Sequence, residues 1–144
     1  MANGLADDVL REIARIHPFF IDWFGGRIPQ TEANYAAFSG VMGAEFWQVN
    51  PLGRYRPRDV ILSEVWKNWN MQPGDPDYRI WIERAFVRNV IGDVALAVYE
   101  EWQTYKGVTS GRTCTAVLQR RAGAPCGVEW LQMHESTFPP GTLP

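Results

Sequence analysis

Apolar residues recur along the first quarter of the chain at steps of three and four. Val9, Ile13, Ile16, Phe20 and Phe24 form one stripe, which predicts a helix over Ala6 to Phe24. Pro18 lies inside that stretch, and its missing N–H and its ring predict a kink near His17. Gly25-Gly26 stops the helix. A second, short helix is expected over Glu32 to Phe38, with Thr31 as its N-cap and Gly40 as its stop. Ala44 to Val49 reads as a short strand, ended by Asn50-Pro51. A third helix should start at Pro57, with Asp59 in its first turn and Ile61, Leu62, Val65, Trp66 and Trp69 as its stripe.

The pattern then changes period. After the loop NMQPGDPD, Tyr78 to Ile91 reads as strand, and Gly92-Asp93 makes a turn. From Asp93 to Thr137 three more strands follow, separated by Lys106-Gly107 and by the glycine-containing break from Ala122 to Gly127. Val94, Val98, Tyr99, Trp102, Thr113, Thr115, Val117 and Trp130 suit a pleated, half-buried surface. Helices ahead of a run of antiparallel strands argue an α+β fold, with the helices on the concave face of a bent sheet. Residues 1–137 are expected to form one domain, with FPPGTLP (138–144) as a loosely held tail.

Composition narrows the field. With 144 residues, 46% hydrophobic and 21% charged, the chain can bury a real core and is neither disordered nor membrane-spanning in character. A net charge of -2 with scattered basic residues argues against a nucleic-acid partner. No apolar run approaches a membrane span, and MANGLADDVLR lacks the basic start and apolar middle of a signal peptide. Cys114 is expected on a strand and Cys126 at a turn, about 25 Å apart at ~3.3 Å per residue. Two free thiols in a reducing cytoplasm follow.

Aromatic residues make up 13% of the chain, enough to line a hollow as well as fill a core. Phe20, Tyr35, Trp47, Trp66 and Trp102 are the candidate walls of a cavity for a small apolar or ring-containing molecule. On Asp93 to Thr104 the even positions are bulkier, so Val94, Leu96, Val98, Glu100 and Trp102 are placed toward the helices. Arg112 is placed on the same side, and a one-residue ambiguity in the last strand leaves His134 or Glu135 beside it. A bulge in that strand could bring both inward. Glu100, Arg112 and His134 or Glu135 are then the candidate polar cluster, with Glu100 and His134 as candidate bases. A structural cross-strand ion pair explains the same residues equally well. His17, a solitary histidine on an apolar stripe, reads as a satisfied core residue that could face the cavity. Two histidines without a close-spaced Cys, Asp or Glu set argue against a metal. Nothing in the sequence calls for a cofactor, and there is neither a nucleophile elbow nor a phosphate loop.

The order helix, helix, strand, helix, four strands resembles the nuclear transport factor 2-like superfamily, which includes SnoaL-like and ketosteroid isomerase-like proteins. Gln119-Arg120-Arg121, a glycine-containing turn, Trp130 and Met133-His134-Glu135-Ser136 are similar to its final hairpin. The similarity is closest to the branch with the association domain of calcium/calmodulin-dependent protein kinase II. That resemblance implies a cone with a pocket at its open end. It is compatible with a ligand-binding domain, with an isomerase, cyclase or dehydratase acting next to a carbonyl, or with an oligomerisation module. The kinase branch lines its pocket with arginines, whereas Glu100-Glu101 stands here. Ala95, Ala97, Tyr99, Thr113, Thr115 and Val117 are assigned to the opposite, uncharged face, which predicts a homodimer by sheet packing.

Overall fold

The computed structural model describes residues 2–144. Helix α1 (Ala2–Phe24) is followed by α2 (Glu32–Ser39), β1 (Met42–Val49), β2 (Tyr55–Pro57) and α3 (Arg58–Lys67). Four long strands complete the fold: β3 (Arg79–Ile91), β4 (Val94–Tyr105), β5 (Val108–Arg120) and β6 (Val128–Thr137). All six strands form one sheet in the order β2-β1-β6-β5-β4-β3. Only β1 and β6 run parallel; every other neighbour pair is antiparallel. The expected α+β architecture is therefore present, with one short strand, β2, that the sequence pattern does not announce.

Each element follows from local chemistry. The Thr31 hydroxyl accepts the Asn34 N–H and starts α2. Pro57 precedes the first turn of α3, where Asp59 meets the helix dipole favourably. Helix α1 passes through Pro18 without interruption. Proline removes the donor for the Ala14 carbonyl, but Ala14 and Pro18 both lie on the exposed side, open to solvent.

The stripe Leu5, Val9, Ile13 and Ile16 packs α1 on the inner face of the sheet, against Ala95, Ala97, Tyr99, Cys114, Ala116 and Leu118. This corrects the expected face of β4: its odd positions, not its even ones, point toward the helices. The reason is the turn. Lys106 (φ 49°) and Gly107 (φ 78°) form a two-residue hairpin loop with both residues left-handed, as a tight primed turn needs. Tyr105 then pairs with Val108, Glu101 with Arg112 and Tyr99 with Cys114. Directly paired residues share a face, so the inward position of Arg112 carries Glu101 inward and Glu100 outward. Ala95, Ala97 and Tyr99 are accordingly 0% exposed within a single chain and belong to no outer face.

The tail is better anchored than its composition suggests. The Phe138 N–H donates to Gly111 O (2.9 Å), and its ring stacks on Trp102 at 5.1 Å.

Candidate functional site

Between α1, α3 and the inner face of β4–β6 lies a cavity of about 410 Å³. That volume falls in the range of small-molecule sites. Its apolar wall includes Phe20 and Phe24 from α1, Phe46 from β1 and Ile61 from α3. Its polar end is built from α1 and the long strands.

His17, one residue before Pro18, is 3% exposed and reaches across from the helix wall to the sheet wall. Its Nδ1 lies 2.6 Å from Ile13 O, an atom that can only accept, so Nδ1 carries a proton. Its Nε2 lies 3.0 Å from Glu101 Oε2. One further proton therefore sits on that line, shared by the imidazole and the carboxylate. Arg112 continues the chain, with Nε 3.7 Å from Glu101 Oε1 and Nη1 2.7 Å from Glu135 Oε2. Nearer the mouth, Arg56 on β2 is salt-bridged to Glu64 on α3.

The electrostatics divide the two inner carboxylates. Burial opposes ionisation of Glu101. The hydrogen bond and charge of His17, with the charge of Arg112, outweigh it and hold the carboxyl below its usual range. Burial dominates at Glu135 and pushes its carboxyl up. Arg112 opposes the rise, and the charge of Glu101 adds to it. Burial also works against the charge of Arg112, but the two carboxylates more than offset this and raise its pKa further. Burial, helped by the Glu101 charge, pushes Tyr78 up to about 12. Burial alone is the leading cause of the rise at Tyr99, well above the usual phenol. Both phenols thus remain hydrogen-bond donors at neutral pH.

Four buried polar atoms lack a partner among the described residues: Gln48 Oε1, Arg56 Nε, Tyr78 OH and Tyr99 OH. All four belong to residues on the wall of this one cavity. Buried polar groups are nearly always hydrogen-bonded, so four orphans in one hollow mark it out.

The expected site residues divide. Phe20, Arg112 and Glu135 line the cavity. The other five aromatic and acid–base candidates, with Glu100, lie elsewhere. Tyr35 (7% exposed) gives its hydroxyl to Leu62 O and packs among Trp23, Trp66 and Phe38, because those rings fill the space between α1, α2 and α3 solidly. Trp66 belongs to the same cluster. Trp47 pairs with Tyr55 at 5.5 Å, and its register with Pro57 and Gln132 sets it on the outer face. Trp102 is on the outer face too, its indole N–H donating to Glu100 Oε1 (2.9 Å). Glu100 itself is bound there by Arg84 (2.6 and 2.9 Å). His134 is exposed, since a register shift between Val117 and Leu118 leaves Trp130, Met133 and Glu135 facing inward together. The pattern of apolar positions overlooked Gln48, Arg56, Tyr78, Tyr99 and Glu101. The signal that finds Glu101 is the two-residue turn at Lys106-Gly107.

Among the described residues, no three His, Cys, Asp or Glu side chains are grouped to hold a metal ion. No described helix is long and apolar enough to cross a membrane.

Several solved structures share the fold. An NTF-2 like protein of unknown function from Pseudomonas aeruginosa matches with a TM-score of 0.80 and 23% identity, over 92% of this chain and 99% of that one. The CaMKII hub of S. rosetta matches with a TM-score of 0.69 and 14% identity, over 92% and 96%. A putative ketosteroid isomerase from Parabacteroides distasonis matches with a TM-score of 0.57 and 16% identity, over 77% and 80%. The expected nuclear transport factor 2-like fold is thus present. No curated protein sequence matches the chain. The family model for the sucrose-6-phosphate phosphohydrolase C-terminal region matches residues 9–138, nearly the whole chain, and the chain belongs to that family.

Proposed function

We propose that this protein is a small-molecule-binding domain whose ligand occupies the cavity between α1, α3 and the sheet. The observation that carries this reading is a cavity of about 410 Å³ on whose wall stand all four residues with an unpartnered buried polar atom. A core evolved only for packing would close such a gap or pair those groups, because each orphan costs about 1–3 kcal/mol. The ligand has a ring-sized apolar body, set against Phe20, Phe24 and Phe46, and a polar end directed at Tyr78, Tyr99 and Arg112. Free Cys114 and Cys126 fit a reducing compartment such as the cytoplasm.

The test is retention of a small molecule. Native mass spectrometry of freshly purified protein should show a bound species that denaturation releases. Met133→Trp, which fills the cavity from β6, should abolish it. If no species is retained and no member of a small-molecule library raises the melting temperature of the wild type, the reading is wrong.

A second reading, assembly into a homodimer, has its own support. The outer face of the sheet presents Leu96, Val98 and Val117 beside Phe86, which is 48% exposed. A hub domain is among the proteins sharing the fold. Here Val98→Lys is the informative change: it should convert a dimer seen by sedimentation at micromolar concentration into a monomer. A wild type that sediments as a monomer excludes this assembly. The two readings are compatible, since the cavity and the outer face lie on opposite sides of one sheet.

A further inference from the structure

The charged groups of the cavity are already matched. His17 faces Glu101 at 3.0 Å, Arg112 faces Glu135 at 2.7 Å, and Arg56 faces Glu64. With the shared proton on the His17–Glu101 line, these are three pairs of no net charge. What the wall leaves unsatisfied is uncharged hydrogen-bonding capacity of both kinds. Tyr78 OH and Tyr99 OH can donate or accept, Arg56 Nε can only donate, and Gln48 Oε1 can only accept. Tyr78 and Tyr99 are 2% and 0% exposed, so bulk water does not serve them.

From this we infer that the cavity selects an electrically neutral, ring-bearing molecule carrying hydroxyl or carbonyl groups, and discriminates against carboxylates, phosphates and amines. The inference rests on the small-molecule reading above and adds the ligand class to it. An anionic ligand would have to draw Arg112 or Arg56 away from its carboxylate. Glu135, at 6% exposed, would then be left ionised in a buried place without a counter-charge. A cationic ligand would have to draw Glu101 or Glu135 away and leave Arg112 in the same position. A neutral ligand breaks no pair. Its hydroxyl accepts from a tyrosine or from Arg56 and donates to Gln48, while its ring replaces water against the phenylalanines.

Three probes with one ring shape separate these cases: cyclohexanol, cyclohexanecarboxylate and cyclohexylamine. Saturation-transfer NMR on the full chain, titrated with each probe at neutral pH, should show cyclohexanol saturating at roughly tenfold lower concentration than either ion. The signal should vanish in Met133→Trp. Charge editing should then move the preference predictably. Glu135→Gln leaves Arg112 in excess and should favour the carboxylate. Arg112→Gln leaves Glu135 in excess and should favour the amine. If the carboxylate or the amine binds wild type as tightly as the alcohol, or if preference ignores these substitutions, neutral selection is wrong while the cavity remains a ligand site. If no probe binds, or if Met133→Trp leaves binding intact, the cavity reading itself fails.

Discussion

The two faces of β4 carry nearly the same chemistry to different ends. On the outer face Glu100 meets Arg84 and the Trp102 indole, and no buried polar atom of the group is left without a partner. On the inner face Glu101 meets His17 and Arg112, but the phenols beside it have no partner. The outer set is complete as a structural motif. The inner set is complete only in charge and still has hydrogen bonds to give. Carboxylates, arginines and rings therefore do not by themselves mark a site; residual bonding capacity next to open volume does. The ring cluster of Trp23, Tyr35, Phe38 and Trp66 makes the same point, since the Trp23 indole and the Tyr35 hydroxyl both end on backbone carbonyls of α3.

The comparison can be broken by deleting one arginine from each side. Arg112→Ala removes the counter-charge of a buried carboxylate and should cost about 3–5 kcal/mol in denaturant unfolding. Arg84→Ala, at an exposed pair, should leave the midpoint nearly unchanged. Equal losses would show that the two ion pairs are energetically alike.

Sterics offer the next contrast. Gly111 lies opposite Trp102, and a Cβ there would enter the indole that Phe138 covers. Gly111→Ala should cost about 1–3 kcal/mol through overpacking on the outer face, while ligand retention survives in the fraction that stays folded.

Tyr99→Phe sharpens the contrast further. It removes an unpartnered hydroxyl, so stability should hold or rise by about 1 kcal/mol while ligand binding weakens. The opposite pairing, lower stability with unchanged binding, would make Tyr99 a structural residue.

Acid titration gives the finest test. Glu101 is held below the usual carboxylate range, so its stabilising contribution is complete above the unfolded pKa of about 4.3. It is lost as pH falls through the lower folded value. Glu135, raised by burial, works with the opposite sign and relieves the fold as it protonates. Glu101→Gln should therefore flatten the loss of stability between about pH 5 and pH 3, and Glu135→Gln should steepen it. Unchanged slopes would mean that neither carboxyl differs from its unfolded state.

Much of the fold was legible because its signals are local: the α1 stripe, the Thr31 cap, the glycine stops and the period-two strands. The site was less so, because it depends on register. Bulk alone placed Glu100 inward, yet counting back from the Lys106-Gly107 turn pairs Glu101 with Arg112. The irregularity in β6 shows no comparable mark in the sequence, and it decides that Glu135 rather than His134 faces the hollow. The approach of His17 to Glu101 joins residues 84 positions apart, which no spacing rule detects.

The parallel closure of the sheet has a consequence for how the chain is made. The helix that forms the floor of the core is synthesised first, and the strand that completes its cover is synthesised last. Glu12 on α1 waits for the indole of Trp130, 118 residues later. At ~5–20 residues per second the ribosome takes about 6–24 s to deliver that partner. Until β4 and β5 emerge the apolar stripe of α1 has no strands to lie on, and until β6 emerges Glu12 stays without the indole that completes its cover.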